Sequence, residues 1–154
     1  MPQPEAVHLR EEEREVVLAE AQAVFAVARD PAYRDELAQL IAALDEGELG
    51  TEEAGTLEGV VELGLQAGRI RAVYGPGGEQ AALRLYRRLP RGSELRATAA
   101  AVSEALDSLR GRRIEAIQLD AIGPGAFALN VTVDGADLSL RLDRQGARLA
   151  SVGT

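Results

Sequence analysis

The spacing of apolar residues changes once along this chain, and that change constrains the fold more than any motif does. Before Gly111 they recur every three or four positions, as on one face of a helix; after Arg113 they alternate with polar residues, as on a half-buried strand. A helical part followed by a run of strands predicts an α+β fold, not alternating βαβ units.

The strand half is the better marked. Arg113 to Asp120 reads as a first strand, and Gly123-Pro124-Gly125 turns the chain. Phe127, Leu129, Val131 and Val133 form the next apolar set, and Asp134-Gly135 is a two-residue hairpin signal. Leu138, Leu140 and Leu142 follow, then a turn over 143–146 and a last strand from Ala147 to Val152. Across the hairpin Val133 and Ala136 share a face, so the apolar sets line one side of a meander. A helix capped by Ser93, with Leu95, Ala99, Val102, Leu106 and Leu109 in one stripe and Gly111 as its stop, is expected to cover that side.

The front half predicts three to four helices. The first runs from near Glu5 to Arg29, apolar on nearly every face from Val16 onward, which calls for cover on several sides. Asp30-Pro31 starts a second helix and Gly47 ends it. Thr51 caps a third that reaches about Gly68, where Gly55, Gly59, Gly64 and Gly68 predict close backbone packing, with a helix broken near Gly55 as the alternative. Arg69 to Tyr74 reads as extended, Gly75-Pro76-Gly77-Gly78 as a turn, and Glu79 to Leu89 as a short helix. Pro90-Arg91-Gly92 is the expected boundary between a helical module, 1–90, and a module of one amphipathic helix with a four-stranded antiparallel β-meander, 91–154. A single continuous domain with one shared core is the alternative.

Composition narrows the chemistry. There is no Cys, all 17 basic residues are Arg, and His8 stands alone. Disulfides, thiolate nucleophiles, zinc ribbons, a P-loop lysine and Schiff bases are excluded, and no cofactor is expected. The Arg usage reads as the mark of a GC-rich genome. The N-terminus is acidic where a leader would be basic, and no stretch is long and apolar enough for a bilayer. The sequence therefore predicts a cytoplasmic protein of bacterial type with no membrane partner.

The net charge of −8 conceals an asymmetry. Residues 1–62 hold 16 acids against four Arg, a net of −12, and residues 63–154 hold nine acids against 13 Arg, a net of +4. Arg69, Arg71, Arg84, Arg87, Arg88 and Arg91 crowd the middle, the last four spaced i, i+3, i+4 and i+7 on one helical face. They form a candidate patch for an anion or a partner. The simpler reading has them pair with the acidic front, within the fold or between subunits, and the acidic total argues against nucleic acid.

Three further clusters read as structure. The Gly75–Gly78 turn lacks the nucleotide-binding fingerprints, and Glu79 would repel phosphate there. His8, Glu11, Glu12 and Glu15 share a face if helical but lack the second carboxylate–imidazole pair of a di-metal bundle, so no metal site is expected. Asp45, Glu46, Glu48, Glu52 and Glu53 lack calcium-loop spacing.

These features favour a non-catalytic interaction or accessory protein that self-associates through its N-terminal helices, or binds another protein. A small-molecule binder or enzyme is the alternative, with a pocket between the 93–110 helix and the sheet lined by Gln118, Asn130, Thr132 and Arg141. Anion or nucleic-acid binding through Arg84, Arg87, Arg88 and Arg91 is the second alternative. No catalytic residue is assigned.

Overall fold

The structure, a computed structural model, describes residues 6–153. It is α+β: five helices precede a four-stranded antiparallel sheet in the order β1-β2-β3-β4. The helices are α1 (Glu11–Val27), α2 (Pro31–Glu46), α3 (Thr51–Gln66), α4 (Arg69–Tyr86) and α5 (Pro90–Asp107). The strands are β1 (Ile114–Gly123), β2 (Ala126–Val133), β3 (Ala136–Asp143) and β4 (Gly146–Gly153). The chain forms two compact units, Met1–Ser93 and Glu94–Thr154.

In the first unit α1 packs against α2, α3 and α4. Its Val16, Val17 and Ala21 are buried with Leu37, Leu57 and Leu85 of the other three helices. The apolar character of α1 is therefore covered largely within its own unit. The expected start near Glu5 lies outside the described residues, and residues 6–10 are not helical. The helix begins at Glu11, where the Glu13 carboxylate turns back to accept the Arg10 N–H at 3.0 Å. Asp30 caps α2 by accepting the Ala32 N–H at 3.2 Å, Pro31 takes the first helical position, and Gly47 closes the helix at φ 82°. Arg34 reaches from α2 to the end of α1, donating to the carbonyls of Phe25 and Ala28 at 2.8 and 3.0 Å with its guanidinium over the Phe25 ring.

The chain departs from expectation between Arg69 and Ser93 and at the α3 glycines. Arg69–Tyr74 is helical, because left-handed Gly68 (φ 67°) reverses the chain and Ile70 and Tyr74, one turn apart, both pack into the core. The expected turn is a bend inside α4 at Gly75 (φ 69°, ψ −172°), and Arg71 and Glu79 bridge it at 3.2 Å. The next helix starts at Pro90, three residues before the expected Ser93 cap. Proline loses nothing at a first helical position, and Glu58 of α3 accepts the Arg91 and Gly92 N–H groups at 2.5 and 3.2 Å. Arg91 thus belongs to α5 and not to the helix that carries Arg84. Of the stepped glycines of α3, Gly64 alone sits in close contact. A Cβ there would lie 2.8 Å from Ile70, whereas Gly55 and Gly59 face open space.

In the second unit Val133 and Ala136 flank an Asp134-Gly135 turn with both residues at positive φ, the twist-matched hairpin geometry the dipeptide predicts. The register puts Ile117, Leu119, Leu129, Val131, Leu138, Leu140 and Val152 on one face. Val102 of α5 packs on the centre of that face with Val131, Val133, Leu138 and Leu140, and Leu109 lies partly buried beside them. Among the described residues no helix is long and apolar enough to cross a membrane.

Candidate functional site

The Arg cluster resolves into separate ion pairs with the acidic front. Arg69 meets Glu20 at 3.1 Å, Arg84 meets Glu12 at 3.1 Å, Arg91 meets Glu62 at 3.0 Å, and Arg88 meets Glu13. Arg71 pairs with Glu79 of its own helix. Arg87, the C-cap of α4, makes no ion pair among the described residues. The structure therefore does not assemble Arg84, Arg87, Arg88 and Arg91 into one free basic face. Five of the six arginines neutralise carboxylates within the helical unit, four of them in the acidic front.

Among the described residues of the helical unit three carboxylates are buried: Glu13, Glu20 and Glu58. Buried charge is tolerated only when compensated: Glu13 and Glu20 are paired with arginines, and Glu58 accepts the backbone N–H groups of Arg91 and Gly92. Glu13 holds Arg88 and the Arg10 N–H through Oε2, while its Oε1 is buried without a partner. Glu20 is bonded by Arg69 at 3.1 Å, and the Tyr74 phenol lies in its field. Burial, then the Glu20 carboxylate, raises the Tyr74 phenol above its ordinary range, so the hydroxyl remains a donor. Burial and Glu62 do the same to Tyr86 against the opposing Arg91. Sequence reading missed these glutamates, although the signal exists: Glu13 and Glu20 flank Val16 and Val17 on the stripe that faces the core.

Gln118, Asn130, Thr132 and Arg141 lie on the sheet face opposite the one α5 covers, because each alternates with the residues packed on Val102. They cannot line a helix–sheet pocket. Instead they form a polar lattice. Gln118 and Asn130 donate to the two oxygens of Asp120 at 2.9 and 3.2 Å, Ser139 donates to Asn130 at 2.7 Å, and Thr132 to Asp137 at 2.7 Å. Arg141 and Arg148 converge on Asp143 at 3.0 and 2.6 Å. The Gln145 N–H first, and then these arginines, hold the Asp143 carboxyl below its ordinary value.

A groove of about 590 Å³ opens between α2 and α3, edged by Tyr33, Glu36, Glu52 and Glu53 and floored by the bare backbone of Gly55 and Gly59. Its field favours cations. Among the described residues no group of three or more His, Asp or Glu is placed to hold a metal ion. His8 lies outside α1, with its carbonyl accepting from Arg88 at 3.0 Å.

The feature that stands out is the bare margin of the apolar sheet face. On the edge strand β1, Ile117 and Leu119 are 60% and 59% exposed, and Phe127 of β2 is 42% exposed. On the other edge, Leu149 and Val152 are exposed as well. Half-exposed side chains of this size, clustered along one margin, leave an apolar patch on the order of 300 Å², the size at which such patches tend to be functional. The chain matches no family model, no curated protein and no solved structure.

Proposed function

We propose that the protein is a non-catalytic interaction protein that self-associates through its C-terminal unit. The observation that carries this reading is β1, an edge strand with one row of backbone groups unpaired in the sheet and two large aliphatic side chains about three-fifths exposed. Such an edge is a template for another strand, and soluble proteins commonly blunt it with lysine, proline or a bulge. No Lys or Pro interrupts Ile114–Gly123, and its two register shifts fall at the ends, leaving Ala116–Ala121 regular.

The N-terminal helices supply a weaker motive for association than their sequence suggests, since α1 is buried against α2, α3 and α4. The opposed charges that would match across an interface are spent within the helical unit. A cytosolic setting goes with this reading on the Cys-free, acidic composition. Light scattering from low to high micromolar concentration tests it. The mass should rise from 16.3 kDa toward twice that value. A constant 16.3 kDa would overturn the proposal.

A further inference from the structure

We infer that the occupant of the β1 edge is a second copy of this chain, paired antiparallel about Gln118 so that two four-stranded sheets join into one of eight. The inference rests on the self-association proposed above and adds the surface and the register.

The edge suits a two-fold partner in three respects. First, the run Ala116–Ala121 pairs with β2 without interruption, and register shifts occur only at its two ends. The other edge, β4, is broken in its middle by a shift between Ser139 and Leu140 of its partner strand, which leaves it a poorer template.

Second, the side-chain pattern is self-complementary. Antiparallel pairing about a residue sets odd positions against odd ones, so Ile117 and Leu119 stay on the apolar face of both copies. About Gln118, Ile117 falls opposite Leu119 of the second copy, and the symmetry repeats the pair. Aliphatic cross-strand pairs of this kind are the unit of sheet stabilisation. A two-fold about Leu119 would set Ile117 against the small Ala121 instead.

Third, the charges do not clash. About Gln118, Asp120 meets Ala116 and Glu115 meets Ala121, so no acid faces an acid. About Asp120, that carboxylate would meet its own copy, which like-charge repulsion disfavours. The exposed Phe127 rings, one strand in from β1, would then border the joined aliphatic pairs on both sides.

The natural chain has no Cys, so a single introduced thiol reports proximity without background. Opposed residues on antiparallel strands place their Cβ atoms about 5 Å apart, close to the range a disulfide spans. Under mild oxidation Gln118→Cys should be converted to a covalent dimer, whereas Thr132→Cys on the interior strand and Ser151→Cys on the β4 edge should remain monomeric. Adding Ile117→Arg to Gln118→Cys should reduce the cross-link at least tenfold while circular dichroism stays unchanged, because Ile117 is already exposed. A wild-type dimer in which Gln118→Cys does not link, or Ser151→Cys links as readily, overturns the β1 register and leaves self-association standing. A wild-type chain that stays at 16.3 kDa overturns both.

Discussion

Replacing Gly92 with alanine should cost the helical unit about 3 kcal/mol, the upper end of what overpacking a close-packed site costs. Gly92 is buried in the first turn of α5, where a Cβ would run into the Tyr86 carbonyl group. The obstacle is backbone and not the tip of a mobile side chain, so relief requires moving the α4–α5 junction. That movement would pull the Arg91 and Gly92 N–H groups away from Glu58 and leave a buried carboxylate without partners. The same substitution at Gly59 should have the opposite sign. Gly59 faces open space in the middle of α3, so alanine there should add about 0.5–1 kcal/mol. Urea unfolding followed by far-ultraviolet circular dichroism reads both, and equal effects at the two glycines would contradict the packing described for Gly92.

Arg88→Ala should be nearly as damaging. It removes the side-chain partner of Glu13, whose carboxylate is wholly buried and already has one oxygen unmatched. Stranding one member of a buried pair costs about 3–5 kcal/mol, and partial exposure of Arg88 brings the expectation to about 2–4 kcal/mol. The cause can be isolated. In a double-mutant cycle with Glu13→Leu, most of the Arg88→Ala loss should disappear, because no buried charge remains to be stranded. Were Arg88 instead part of an external anion site, Arg88→Ala would leave stability untouched and the cycle would show no coupling.

These two sites mark what a sequence does and does not disclose. Asp30-Pro31, Gly47 and Asp134-Gly135 were legible because each acts through backbone geometry within a few residues. The β-meander was legible because a two-residue period survives only if one face is buried. The start of α5 was not, because Ser93 offers a local cap while the actual start depends on Glu58, 33 residues earlier in the chain than Arg91. Arg69–Tyr74 is not legible for a related reason: the charged–apolar alternation of Arg69-Ile70-Arg71 resembles a strand until Ile70 and Tyr74 find the core.

The candidate site divides in the same way. The opposition between an acidic front and a basic middle is visible in the charge map, and the Arg–Glu pairs of the helical unit are its outcome. Which carboxylates are buried depends on helix rotation, a tertiary property. For the sheet, alternation separates the polar residues from the apolar ones but does not say which face α5 takes. Only the contact of Val102 with Val131 and Leu140 assigns Gln118, Asn130, Thr132 and Arg141 to the opposite side. The exposure of Ile117 and Leu119 is likewise a matter of coverage, since a single helix packed on the centre of the sheet leaves its margin bare.

The claim that β1 is the associating edge is tested most directly by amide hydrogen exchange at two protein concentrations. The outward N–H groups of Ala116–Ala121 should exchange rapidly in dilute solution and slow at least tenfold when concentrated, while those of β4 keep one rate throughout. If the β1 rates do not change with concentration while the mass rises, association runs through another surface, and the account of the sheet edge is wrong.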